Sequence, residues 1–240
     1  LSLPLNNRIA VVTGATHGLG EATAKHLASL GATIVLIARG RQELDRVASA
    51  LRQDGAQVLA ISCDTSDSQQ TQDTASKIVQ ELGGVDILVN NVGIPAPVGF
   101  KETSFEDWDR TISVNLSSAF YMTRALWDAM ISRDDAYVIV VSGTMGIRGG
   151  ASPAYGSAKF GLTALTRSIA VAGKQHNIRA SVLYPGGMDT GWRGAPIGVK
   201  PRSETMDPDE VARYIGYLVS TPPEFVVNEA VLSPLADTFL

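Results

Sequence analysis

The chain has 240 residues, 45% of them apolar, with a formal net charge of −4 and a pI near 5.4. That balance excludes an electrostatic nucleic-acid binder, and a single cysteine, Cys63, excludes an intrachain disulfide or a cysteine-rich metal site. No stretch approaches the run of about eighteen apolar residues of a membrane span, and Leu1 to Arg8 lacks a signal-peptide pattern, so a cytoplasmic location is expected. In chain order, short Val- and Ile-rich runs alternate with longer amphipathic segments. Strand Ile9–Val12 precedes helix Leu19–Leu30, strand Thr33–Ile37, helix Arg41–Asp54, strand Gln57–Ile61 and helix Ser68–Leu82. Then come strand Asp86–Val89, helix Phe105–Ile131, strand Tyr137–Val141, helix Pro153–His176, strand Ile178–Leu183, helix Pro208–Ser220 and strand Glu229–Leu232. The runs show little polar alternation, as strands buried on both faces do. Gly31 and Gly55 suit helix ends, and Pro153 suits a first helical turn. The order implies an α/β fold, a doubly wound parallel sheet with helices on both faces, forming one domain over 1–240. Cys63 follows the apolar Val58-Leu59-Ala60-Ile61 and reads as a buried structural thiol. The one irregular stretch, Pro185–Met206, is rich in Gly and Pro and is either a lid over a site or a plain surface loop.

Two local patterns carry chemistry. Ile9–Val12 leads into Thr13-Gly14-Ala15-Thr16-His17-Gly18-Leu19-Gly20 at the start of a helix. Gly14 permits a tight turn, Gly18 lets backbone approach a diphosphate, and Gly20 allows close helix–strand packing. The helix start then offers free N–H groups and positive potential to phosphate. Further on, Tyr155 and Lys159 stand four apart on a helix, which puts an ammonium near a phenol. A free Tyr, with a pKa of about 10, is a poor proton-transfer group at neutral pH. A nearby cation favours the phenolate, making the pair a usable general acid or base. Ser142, thirteen residues before Tyr155, offers a hydroxyl to the oxygen that gains or loses the proton. His26 and His176 are isolated and read as helix-face residues; no strong metal motif is present.

TGxxxGxG, the Tyr155–Lys159 pair and the upstream Ser142 together resemble the short-chain dehydrogenase/reductase family, and further matches run along nearly the whole chain. Asp64 resembles the family's aspartate near the adenine. Asn90-Asn91-Val92-Gly93 resembles its NNAG motif, with Val92 where Ala is usual. Asn115 matches its fourth catalytic position, and Pro185-Gly186 with Thr190 matches the loop that closes on the nicotinamide carboxamide. Ser142 lies in Val-Ser-Gly-Thr rather than the commoner Ser-Ser pair, and the chain ends at Leu240 without the usual VDGG segment.

The resemblance implies a Rossmann-type fold and hydride transfer between a nicotinamide cofactor and an alcohol/carbonyl couple. Tyr155 is then the general acid or base, Lys159 its electrostatic partner and a ribose ligand, and Ser142 the group that polarises the substrate oxygen. Asn115 holds a water linking Lys159 to solvent. Cofactor contacts are expected from Gly14, Thr16, His17, Gly18, Leu19, Gly20, Arg39, Asp64, Asn91, Gly93, Tyr155, Lys159, Pro185, Gly186 and Thr190. The family position that carries an acid in NAD enzymes falls on Ala38, while Arg39 and Arg41 offer guanidinium groups to a 2′-phosphate. NADP(H) is therefore the expected cofactor. Met145, Ile147, Ile94, Pro95, Met188 and Trp192 are expected beside the substrate, with Arg148, Arg193, Lys200 and Arg202 as surface cations able to attract an anion. Candidate substrates are 3-oxoacyl thioesters, hydroxy acids and ketones. A homodimer or homotetramer, built on the long helices, is the expected assembly. The rival reading is a non-catalytic dinucleotide-binding redox sensor, which has no need of Asn115, Ser142, Tyr155 and Lys159 together.

Overall fold

The computed structural model describes residues 3–237, apart from the side chain of Arg193. Its first half runs β1 (Ile9–Thr13), α1 (Gly18–Ser29), β2 (Thr33–Ala38), α2 (Arg41–Gln53), β3 (Val58–Ser62), α3 (Ser68–Leu82) and β4 (Ile87–Asn90). It continues with α4 (Phe105–Ile112), α5 (Ser118–Ala125), α6 (Trp127–Ile131), β5 (Ala136–Val141), α7 (Met145–Arg148) and α8 (Pro153–Gly173), and closes with β6 (Ile178–Pro185), α9 (Pro208–Val219) and β7 (Glu229–Leu232). The helix starts follow from their caps. The Asp67 carboxylate accepts the N–H groups of Gln69 and Gln70 at the head of α3. Ser104 and Asp107 form a capping box at α4, and Asp207 and Glu210 form one at α9, whose first residue is Pro208.

Two expectations need correction, and one short helix is additional to those expected. The helix expected over Phe105–Ile131 is divided: Ser113–Ser117 forms a π-helical turn between α4 and α5, and Leu126 separates α5 from α6. Apolar periodicity does not reveal a widened turn, because the residues on either side still meet the core. The helix expected to reach His176 ends at Gly173 and gives way to a 3-10 turn, Lys174–His176, before Asn177 at φ +55. The short α7 has no signal at this length; its end is set by Gly149 at φ +69.

The strands form one seven-stranded parallel sheet in the order β3-β2-β1-β4-β5-β6-β7. Alternate residues of each strand feed opposite faces. Ala10, Val12, Ile34 and Leu36 pack with α1, α2 and α9, whereas Val11, Val35 and Ile37 pack on the other side, with residues of α3, α5 and α8. The order reverses between β1 and β4, and ligands of open α/β sheets bind in the crevice that such a reversal leaves at the strands' carboxyl ends. At the opposite end, buried Asp86 accepts the Ile9 N–H at 2.7 Å and pairs with Arg133 and Arg8, while Asp135 pairs with Arg8 and with buried Arg179.

Candidate active site

Four chain segments meet at the carboxyl end of β5. The strand delivers Ser142, α8 delivers Tyr155 and Lys159, the π-helical turn delivers Asn115, and the segment after β4 delivers Gly93. Two glycines allow this convergence. A Cβ on Gly146 would clash with Ser142 Oγ and lie 2.9 Å from the Lys159 carbonyl, so α7 lies directly against α8. A Cβ on Gly161 would come within 2.6 Å of Leu116 Cδ2, so the π-helical turn does the same.

Lys159 is only 3% exposed, and its Nζ donates to the Val141 carbonyl at 3.1 Å. Burial pulls its pKa down from the usual 10.5 to about 8. The same Nζ stands 5.5 Å from the centre of the half-buried Tyr155 ring, as the four-residue spacing requires. Ser142 is buried, and its hydroxyl donates to the Lys159 carbonyl at 2.9 Å. That hydroxyl must turn before it can donate to a substrate oxygen, whereas as oriented it can accept from a carbinol O–H. Asn115 is buried on the π-helical turn. Its Nδ2 donates to the carbonyls of Ile94 and Thr111 at 3.2 and 3.1 Å, and its Oδ1 accepts the Ile94 N–H at 2.9 Å. The side chain therefore fixes the loop after β4, because the widened turn points it there. The position of a Cβ on Gly93 would be 2.9 Å from Asn115 Oδ1 and 3.7 Å from Lys159 Nζ.

The Gly-rich turn lies across the crevice between β1 and β4. Gly14 and Gly18 have φ of +63 and +55, the left-handed region that glycine enters without a Cβ penalty. A Cβ on Gly20 would clash with the Gly14 carbonyl. Asn91 Nδ2 donates to the carbonyls of Thr13 and Gly14, and Thr13 Oγ1 accepts the Asn91 N–H at 3.0 Å. His17 is the N-cap of α1 but makes no side-chain cap bond, and its ring instead meets Thr16 Oγ1 at 3.1 Å. Thr190 reaches back so that a Cβ on Gly18 would touch it at 3.1 Å. Leu19 is buried against the core, and Pro185 and Gly186 close β6, where the Gly186 N–H bonds the Leu232 carbonyl at 2.7 Å. At the end of β2, Ala38 is followed by Arg39, 63% exposed and only 3.9 Å from Asp64, and by Arg41, which pairs with Asp45 on its own helix. Asp64 itself accepts from Ser66 N and Oγ. These features suit a dinucleotide: glycine contacts that leave no room for a side chain, an α1 start without a side-chain cap, and guanidinium groups beyond β2.

Two positioning residues escaped sequence reasoning. Thr13 stitches the turn to the β4 end, a role hinted at only by its place at the head of the motif. Arg46 Nη2 donates to the Thr16 carbonyl at 3.1 Å while pairing with Glu21 and Glu43, and nothing local marks it. Of the surface cations, Arg148 faces Asp237, Arg202 faces Asp207 and Glu210, and Lys200 is exposed. The Arg193 side chain lies outside the described residues. Cys63 is buried, as expected, and burial raises its thiol pKa.

The family model described as short chain dehydrogenase matches residues 8–195. The chain belongs to the short-chain dehydrogenase family. Cis-4-hydroxycyclohexanecarboxylate dehydrogenase of Sinomonas cyclohexanicum is 34% identical over 233 residues, covering 92% of each chain. 2,3-Dihydro-2,3-dihydroxybenzoate dehydrogenase of Bacillus subtilis (strain 168) is 32% identical over 187 residues, covering 78% of this chain and 72% of its own. Among solved structures, an alcohol dehydrogenase from the archaeon Thermococcus sibiricus, complexed with 5-hydroxy-NADP, superposes with a TM-score of 0.90 at 29% identity, covering 96% of this chain and 97% of that one. As a short-chain dehydrogenase, the chain is an oxidoreductase on a Rossmann-type fold. Among the described residues, no helix is long and apolar enough to cross a membrane, and no cluster of three or more His, Cys, Asp or Glu is arranged to hold a metal ion.

Proposed function

We propose that this short-chain dehydrogenase is an NADP(H)-dependent enzyme interconverting an alcohol and a carbonyl, with Tyr155 as the proton-transfer group. The observation that carries the reading is the convergence of Asn115, Ser142, Tyr155 and Lys159 beside the Gly-rich turn. Gly14, Gly18, Gly20 and the α1 start would hold the diphosphate, Arg39 and Arg41 the 2′-phosphate, and Lys159 the nicotinamide ribose. When bound, the nicotinamide supplies or takes the hydride. Tyr155 gives its phenolic proton to the carbonyl oxygen in reduction and takes the carbinol proton in oxidation. Lys159, when charged, favours the phenolate that this exchange leaves. Ser142 turns its O–H to the carbonyl oxygen in one direction and accepts from the carbinol in the other. Asn115 keeps the Ile94 loop, and with it the substrate wall, in register with Lys159.

The absence of an acid at Ala38, together with the exposed Arg39, supports NADP(H) over NAD(H). Equal or better catalytic efficiency with NAD(H) would overturn that preference. Substrate candidates are ketones, hydroxy acids and 3-oxoacyl thioesters, and the relatives' names add ring alcohols that bear a carboxylate. Following NADPH absorbance over such a panel tests the whole reading. Turnover of at least one carbonyl is expected; tight NADPH binding with no turnover would indicate a redox sensor instead.

A further inference from the structure

We propose that Trp192 is a substrate-positioning residue that selects compact ring ketones and alcohols over extended acyl thioesters. The inference rests on the oxidoreductase reading above and assigns the substrate shape of that same site.

Trp192 opens a 3-10 turn, Trp192–Gly194, between Gly191 at φ +70 and Gly194 at φ +73. The loop that carries it is closed at its base. Met188 bridges Met206, the Met206 N–H bonds the Gly187 carbonyl at 2.9 Å, and the Asp189 carboxylate accepts the Gly198 N–H at 3.0 and 2.8 Å. The indole is thus presented by a tied turn. Its Cη2 stands 3.7 Å from the position of a Cβ on Gly93, and its ring lies 6.4 Å from that of Tyr155 at a tilt of 52°. It therefore spans from the end of β4 to the proposed proton-transfer group. An open cleft of about 590 Å³, lined by Pro95, Ala96, Pro97 and Gly194, lies beside it. One wall follows Gly93 in sequence and the other follows Trp192.

A reacting oxygen must come within roughly 3 Å of the Tyr155 hydroxyl. The atoms next to it then fall within contact range of the indole. A flat, stiff aromatic face beside prolines and alanine rewards a rigid apolar body, which loses little freedom when held. An acyl chain loses several rotors in the same place.

The test is NADPH oxidation by wild type, Trp192→Phe and Trp192→Ala, with cyclohexanone-type ketones and with an acetoacetyl thioester, alongside NADPH affinity by fluorescence. Wild type is expected to favour the ring ketone by about tenfold or more in kcat/KM. Trp192→Ala should raise KM for the ring ketone about tenfold with kcat little changed, Trp192→Phe should restore most of it, and NADPH affinity should hold in both variants. Equal wild-type use of the thioester, an equal loss on both substrates in Trp192→Ala, or a loss confined to NADPH affinity would each overturn the proposal. Turnover without ring preference sinks only this inference, whereas failure of wild type on every carbonyl sinks the oxidoreductase reading beneath it.

Discussion

At the scale of single residues, the site is built around a cation the fold disfavours. Lys159 is enclosed, and burial alone accounts for the fall of its pKa to about 8. An unfolded chain keeps that ammonium near 10.5. Between the two values the unfolded state holds the extra proton, so stability rises with pH through that window. Above about 10.5 the penalty is absent; below about 8 it is fully present. A fall from 10.5 to about 8 corresponds to roughly 3 kcal/mol, less about 1 kcal/mol for the bond to Val141. Lys159→Met should therefore stabilise the chain by about 2 kcal/mol at pH 7, with the advantage gone near pH 10.5, while turnover collapses. Denaturant melts at the two pH values read the outcome; a destabilised variant at pH 7 would contradict the burial argument. Tyr155→Phe separates chemistry from binding: turnover should fall by about a thousandfold or more with NADPH affinity largely kept, and substantial turnover in the pure variant would refute the assignment. The Tyr155–Lys159 pair was legible from sequence because a four-residue helical spacing is local geometry. The bonds of Ser142 to Lys159 and of Asn115 to Ile94 were not, since each joins segments that only the folded sheet brings together.

At the scale of elements, glycines decide how closely the parts approach. Gly146 and Gly161 let α7 and the π-helical turn rest on α8, and Gly20 lets α1 rest on the turn that follows β1. The strands and most helices could be read from apolar runs and caps, because burial on both faces writes itself into composition. The π-helical turn could not, because a widened turn such as Ser113-Val114-Asn115-Leu116-Ser117 leaves no periodic signal. Gly20→Ala tests the element-level argument. The added Cβ would meet the Gly14 carbonyl, a backbone atom that cannot swing away. The turn must open, so NADPH affinity should fall at least about tenfold, with a loss of stability of about 1–3 kcal/mol from overpacking. Isothermal titration and a thermal melt check both, and a variant that binds and melts like wild type would mean that the turn is not the cofactor's seat.

Across the whole molecule, the two ends of the sheet divide the work. The amino ends of the strands are locked by Arg8, Asp86, Arg133, Asp135 and Arg179, with the Arg179 guanidinium 4.3 Å from the Tyr137 ring centre. The carboxyl ends carry the Gly-rich turn, the Gly93 segment and the 185–206 loop. Between them, the helices of one face leave aromatic groups outside the core. Phe105 is 94% exposed, and Trp108, Phe120 and Phe160 are 40–49% exposed, on α4, α5 and α8. Trp127 on α6 and Leu165 on α8 are partly buried against the core. Several large aromatic groups on neighbouring helices exceed what monomers scatter over their surfaces, and such a face favours a partner. A second copy is the occupant that the family resemblance implies. Light scattering should therefore give a mass of at least twice 25.4 kDa, and Trp108→Glu with Phe160→Glu should shift it to the monomer by placing charge in the face. The paired change leaves the buried side chains of α8 untouched, so far-ultraviolet circular dichroism should stay native. A wild-type chain that scatters only as a monomer at micromolar concentration would reject the assembly, and the exposed aromatics would then need another partner.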